Sequence, residues 1–228
     1  IISITGSSGK TSLKELLSYS LKKLSSITYS KKSFNNKFGV PISLFNLKKK
    51  DKFGIFEVGM DKKGEINYLT KNITPDVGII TNISYAHIKN FKNLKEIAAA
   101  KSEMMNNIIQ NGAIVLNKDD SYFNFLKSIA LKKKLKVISF SKNKSSADIF
   151  LKKIIKYKSN LKVIFKLKNY YKSFIIKDIL KPYVDNLLAS ILIISEFFNL
   201  KEVNEKLFFD FNLPNSRGDF SKIKISNK

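Results

Sequence analysis

The stretch ITGSSGKTS, residues 4–12, runs from the end of an apolar strand through Gly6 and Gly9 into Lys10 and Thr11. Two glycines let the backbone curl, so that successive N–H groups converge on phosphate oxygens at the start of a helix. In such a loop Lys10 neutralises the β- and γ-phosphates and the Thr11 hydroxyl sits on Mg²⁺. The pattern G-x-x-G-K-[ST] is two residues shorter than the usual phosphate loop. With glycine at ~7% of residues, chance would supply it in roughly one per cent of chains this long. The alternative is an ordinary glycine turn carrying a solvated lysine.

Working outward, IISI (1–4) precedes the loop and a helix pattern from Lys10 to Leu24 follows it. FGIFEV (53–58) and DVGIITNI (76–83) are near-continuous apolar runs, as in parallel strands covered on both faces. A helix over about 93–108, the strand AIVLN (113–117), a helix over about 121–133 and KVISF (136–140) continue the alternation. This predicts a mostly parallel, doubly wound α/β domain with a phosphate-loop-like nucleotide site. DIFLKKIIKY, LKVIFKLK and YKSFIIK then alternate between short polar turns and predict a small antiparallel β appendage. A buried helix over about 183–198 and a shorter one near 201–209 close the domain.

Composition bounds the reading. The 228 residues are enough for one substantial core. With no cysteine, disulfides and thiolate metal sites are excluded, and a reducing cytoplasm is the expected compartment. The longest apolar run, LLASILII (187–194), is far short of the ~20 residues of a membrane span. The net charge of +24 invites a nucleic-acid reading, but Arg217 is the only arginine and the lysines are spread along the whole chain. Readers of bases and phosphates use arginine for bidentate contacts. Abundant Lys, Ile, Asn, Phe and Tyr instead match an AT-rich coding bias, and neither nucleic acid nor membrane is expected as a partner. The chain opens inside an apolar strand, as a domain cut from a longer protein does.

Three further residues bear on chemistry. Glu57 closes a buried strand, where ligands of open α/β sheets bind and a hard cation finds an oxygen ligand; a surface acid is the bland alternative. His87, the only histidine, follows the strand ending ITNI and emerges with Asn82 at the same sheet edge; a loop histidine is its ordinary reading. Lys101 falls in the inward stripe of its helix with Leu94, Ile97, Ala98, Met105 and Ile108. A snorkelling side chain explains it, whereas a lysine buried beside Mg²⁺ would need its charge removed, as carbamylation by CO₂ does.

Taken in order, SFNNKFGVP (33–41), EVGMDKKGEI (57–66), TNISYAHI (81–88), IAAAKSEM (97–104), NGAIVLNKDD (111–120) and SRGDF (216–220) resemble the central, ATP-binding domain of the Mur ligases. That family uses the shortened loop. The resemblance covers residues 1–228 and implies that the N-terminal UDP-substrate domain and the C-terminal domain lie outside this chain, so that the isolated fragment ligates nothing. It implies an ATP-dependent peptide ligase of peptidoglycan synthesis, most like the members that add D-Ala-D-Ala to UDP-N-acetylmuramoyl-tripeptide through an acyl phosphate. A monomer with ATP and two Mg²⁺ is expected.

By position, the resemblance gives Thr5, Gly6, Ser7, Ser8, Gly9, Lys10, Thr11 and Ser12 to the ATP phosphates, and Asn186 and Arg217 to the rest of the nucleotide. Thr11, Glu57, His87 and a carbamylated Lys101 fall to the metal sites, with Lys10, Lys101 and His87 in the catalytic group. Asn35 and Asn36 fall to the nucleotide-sugar peptide. Two positions depart from the family pattern: Pro182-Tyr183 stand where His-Asn is usual, and Ser216 where glycine is. Folylpolyglutamate synthetase and cyanophycin synthetase, which share the loop, are the alternative ligase readings, and a non-catalytic nucleotide-binding module is the third.

Overall fold

The computed structural model describes residues 1–85 and 90–213. Among them a nine-stranded sheet has the order β2-β3-β1-β4-β5-β6-β7-β8-β9. Strands β1 (Ile2–Thr5), β2 (Ile27–Tyr29), β3 (Phe53–Glu57), β4 (Val77–Ile80), β5 (Ala113–Asn117) and β6 (Lys136–Ser141) run parallel. Helices α1 (Lys10–Lys22), α2 (Gly39–Phe45), α3 (Glu65–Ile73), α4 (Leu94–Ser102) and α5 (Phe123–Lys132) fill the connections. Strands β7 (Ile149–Tyr157), β8 (Asn160–Leu167) and β9 (Tyr170–Lys177) follow, then α6 (Val184–Phe197).

The apolar strand runs work because successive side chains enter opposite layers. Ile55 and Ile79 belong to the core shared with α1 and α6, while their neighbours Phe56 and Ile80 belong to the core shared with α3, α4 and α5. On α1, Leu13, Leu16, Leu17 and Leu21 recur at helical spacing and are buried, each contributing about 1.5–3 kcal/mol of transfer free energy. Helix α6 is buried around its whole circumference from Leu187 to Ile194. Leu200, Val203, Leu207, Phe208 and Phe211, from the segment that follows, belong to the same core.

The three late strands form the expected antiparallel appendage. Their β7–β8 and β8–β9 pairings are antiparallel, but β7 also joins β6 in parallel, so they extend the same sheet. The expected helix near 201–209 is replaced by turns. The side chains of Asn199 and Asn204 accept from the N–H groups of Lys201 and Lys206, and i→i−3 bonds such as Phe209 N–H to Lys206 O complete the segment. Asparagine competing for backbone donors in this way interrupts a helix. The helix expected over 93–108 ends at Ser102 and tightens into a 3₁₀ turn over Glu103–Asn106.

The strand order reverses beside β1: the chain places β2 and β3 on one side of it and β4 on the other. The crevice beyond the carboxyl ends of β1, β3 and β4 is therefore the place for a ligand.

Candidate active site

The glycine loop leaves β1 and enters α1 at that crevice. Gly6 has φ +147°, and a Cβ there would sit 1.8 Å from Thr81 Oγ1. Gly9 is the left-handed residue before α1, at φ 78°. Both conditions require glycine. The loop is clamped by the residues that follow β4. Asn82 O accepts from Ser7 N–H at 3.0 Å, and Asn82 Oδ1 accepts from Ser8 N–H at 2.9 Å. Thr81 Oγ1 donates to Ser8 O, and Ser7 Oγ exchanges bonds with the backbone of Ser84. Lys10 Nζ donates back to Gly6 O at 2.9 Å, so a cation lies across the mouth of the loop. Thr5 lies beneath, fully buried; Thr11 and Ser12 are nearly so.

Glu57, at the carboxyl end of β3, is 1% exposed. Asn35 Nδ2 donates to its Oε1 at 2.8 Å, while Oε2 has no hydrogen-bond partner among the described residues. A buried carboxylate oxygen left unmatched is costly unless something else meets it. A carboxylate oxygen of this kind, like a threonine hydroxyl, is a donor type that suits Mg²⁺, which takes few protein ligands and keeps phosphate and water oxygens for the rest. Among the described residues no group of three or more His, Asp or Glu side chains converges on a metal position.

Lys101, on α4, is 1% exposed. Burial, and secondarily the Lys10 ammonium nearby, lowers its pKa from 10.5 to about 7. Near neutral pH a substantial fraction of its amine is thus uncharged. His87 and Arg217 lie outside the described residues.

Two clefts open at the loop. The larger, about 500 Å³, is lined by Lys10, Asn35, Asn36, Phe38, Gly64 and Tyr68 among others. The smaller, about 290 Å³, is lined by Ser8, Gly9, Ser12, Tyr183, Asp185 and Asn186 among others. Asn186 Nδ2 donates to Gly9 O at 3.2 Å, tying α6 to the loop. Pro182 and Tyr183, the departures from the family pattern, line this smaller cleft. Asn36 has a structural task in addition to its place in the larger cleft: its Oδ1 accepts from Phe38 and Gly39 N–H at the start of α2.

Sequence reading does not single out Thr81, Ser84 or Ser30. Ser30 Oγ, fully buried, accepts the Glu57 N–H at 2.9 Å. The signal available for Thr81 and Ser84 is that they lie within two residues of Asn82 at the end of an apolar run.

Fold and site together define a doubly wound α/β domain organised around a shortened phosphate-loop turn. Residues 4–194 match the family model described as the Mur ligase middle domain, and the chain belongs to that family. Over 227 residues it is 32% identical to the UDP-N-acetylmuramoyl-tripeptide--D-alanyl-D-alanine ligase of Rickettsia prowazekii (strain Madrid E), covering 99% of this chain and 50% of that protein. The crystal structure I of MurF from Acinetobacter baumannii superposes with a TM-score of 0.87 at 26% identity, covering 98% of this chain and 48% of that one. MurF ligase from Thermotoga maritima in complex with ADP gives 0.76 at 25% identity, over 89% and 45%. The chain thus spans at most about half the length of these proteins.

Proposed function

We propose that this chain is the ATP-binding centre of a cytoplasmic, monomeric ligase of peptidoglycan precursor synthesis, adding D-Ala-D-Ala to UDP-N-acetylmuramoyl-tripeptide. The observation that carries the reading is the meeting of two clefts at one loop, with Lys10 in the wall of the larger and Ser8, Gly9 and Ser12 in the wall of the smaller. Such an arrangement suits a nucleotide in the smaller cleft and a carboxylate acceptor in the larger, in line across the loop.

A carboxylate does not acylate an amine because its leaving group would be oxide. Attack of the tripeptide carboxylate on the γ-phosphate of ATP releases ADP and gives an acyl phosphate. The amine of D-Ala-D-Ala then attacks the acyl carbon, loses a proton and expels phosphate. The chain's contribution is positioning and charge neutralisation. The loop N–H groups and the α1 N-terminus hold the phosphates, Lys10 offsets the charge that develops between the β- and γ-phosphates, and Asn186 holds the nucleoside side. Thr11 and Glu57 fit Mg²⁺, which when bound offsets phosphate charge. His87 and a second Mg²⁺ take their roles from the family pattern, as does Arg217 on the nucleotide.

The same reading makes Lys101 a carbamate. A neutral amine takes up CO₂ and releases one proton, and the product replaces repulsion between Lys101 and Lys10 by attraction. Asn35 and Asn36 belong to the acceptor side by their place in the larger cleft.

The test is phosphate release from ATP by the full-length natural protein, with UDP-N-acetylmuramoyl-tripeptide and D-Ala-D-Ala added singly and together. Release that requires both is the expected result. Release supported by a folate or cyanophycin acceptor in their place transfers the chain to the rival ligases, and ATP binding with no acceptor-dependent release makes it a non-catalytic module.

A further inference from the structure

The motif NKDD (117–120), at the carboxyl end of β5, has no part in the reaction above, yet its two carboxylates reach in opposite directions. Asp120 accepts the Ile83 N–H on Oδ2 at 2.7 Å and the Tyr122 N–H on Oδ1 at 2.8 Å. Ile83 stands between Asn82 and Ser84, the two residues that hold Ser7 and Ser8 of the phosphate loop. Asp120 therefore anchors the clamp, and the clamp anchors the loop.

Asp119 faces the other way. Its Oδ1 accepts from the Ser141 hydroxyl and its Oδ2 from the Lys142 N–H, each at 2.7 Å. Ser141 Oγ in turn accepts the N–H groups of Asn143 and Lys144 at 3.0 and 2.6 Å, so the turn after β6 is built on this pair. From that turn Lys142 Nζ reaches Asp185 at 2.7 Å, and Asp185 lines the smaller cleft beside Tyr183 and Asn186. Asn117 lines that cleft as well.

We infer that Asp119 and Asp120 are positioning residues for the nucleotide, Asp120 fixing the wall that meets the phosphates and Asp119 the wall that meets the base. The inference rests on the nucleotide site proposed above. Each carboxylate uses both oxygens, so replacement by asparagine removes one acceptor at unchanged side-chain size: at Asp120 it sets an N–H against an N–H, and at Asp119 it takes the acceptor from the Ser141 hydroxyl, whose own oxygen already accepts two N–H groups.

The experiment is calorimetric titration of the full-length protein and its Asp119→Asn and Asp120→Asn variants with ATP and with inorganic tripolyphosphate, both with Mg²⁺. Asp120→Asn is expected to weaken ATP and tripolyphosphate alike, by about tenfold. Asp119→Asn is expected to weaken ATP by about tenfold and tripolyphosphate by less than about twofold. The stoichiometry from the same titration separates a weakened site from an unfolded fraction, which lowers the number of sites and leaves the affinity of the remainder. Ser141→Ala, which removes the partner of Asp119, is expected to repeat the Asp119→Asn pattern. Equal losses for both ligands in Asp119→Asn, or intact tripolyphosphate binding in Asp120→Asn, overturn the inference while leaving the nucleotide site standing. A wild-type protein that binds neither ligand overturns both.

Discussion

The parallel half of the sheet and its antiparallel end are built from similar apolar residues but differ in what they leave exposed. Strands β1, β3, β4 and β5 are covered on both faces, so their only polar outlets are their ends, and the described candidate residues outside α4 and α6 lie at or just beyond the carboxyl ends of β1, β2 and β3. Strand β8 alternates instead: Leu161, Val163, Phe165 and Leu167 are buried while Lys162, Ile164 and Lys166 are half-exposed. One half concentrates chemistry at an edge, and the other spreads lysines over a face. The large positive charge is thus a property of surface, and the function is a property of strand ends.

That contrast can be broken from either side. The largest expected effect is in the antiparallel end: Phe165→Ala should cost about 3–5 kcal/mol in urea unfolding, since Phe165 is fully buried and stacks on Phe174 at 5.8 Å. The affinity of the folded fraction for ATP should not change, and a loss of affinity there would show that the two halves are not separable. Lys10→Ala should do the reverse, lowering kcat of the full-length protein by about 10²–10³-fold, or about 3–4 kcal/mol of barrier, at unchanged Tm. Near wild-type turnover would remove Lys10 from its role.

Lys101 sharpens the comparison through pH. Its folded pKa lies below its unfolded one, so the unfolded chain binds more protons between about pH 7 and 10.5. The cost of burying it is fully present below pH 7 and disappears as the pH rises through that window. In CO₂-free buffer Lys101→Met should therefore be more stable than wild type at pH 7, with an advantage that shrinks by pH 9.5. Urea unfolding of both proteins at the two pH values checks this; a constant difference would mean that Lys101 is not buried as an amine. The smallest effect belongs to the exposed face. Lys166→Gln should change stability by less than about 0.5 kcal/mol and leave turnover unaltered.

The sequence carried the parallel strands and the glycine loop plainly, because a short, continuous apolar run suits a strand covered on both faces, and two glycines ahead of Lys10 and Thr11 suit a turn at positive φ. It also carried α6, whose eight-residue apolar core is what a helix buried on all sides requires. It did not carry the joining of the antiparallel strands to the main sheet, since alternation tells which face is buried but not which edge is paired. Nor did it carry the turns of 201–209, where Asn199 and Asn204 redirect backbone donors. Of the candidate site, Gly6, Lys10 and Thr11 stand out by the loop pattern and Glu57 by its strand end, whereas Lys101 reads as a snorkelling side chain and takes its candidate role from the family resemblance. Thr81 and Ser30 could not, because a hydroxyl becomes informative only when a backbone group from a distant segment meets it. Asn36 shows the converse: a motif residue read as a ligand contact also supplies the cap on which α2 begins.

The seam between the two halves has a mechanical consequence. Strands β6 and β7 share only the pairs Phe140–Ile149 and Ser141–Phe150, whereas β5 and β6 share five. The sheet is continuous there in hydrogen bonds but thin as a plate, and α6, which touches β5, β6 and β7, acts as a splint across the thin line. The rod that braces the seam is also the one whose first turn, at Asn186, grips the phosphate loop, so a single helix serves as joint for the sheet and as anchor for the site.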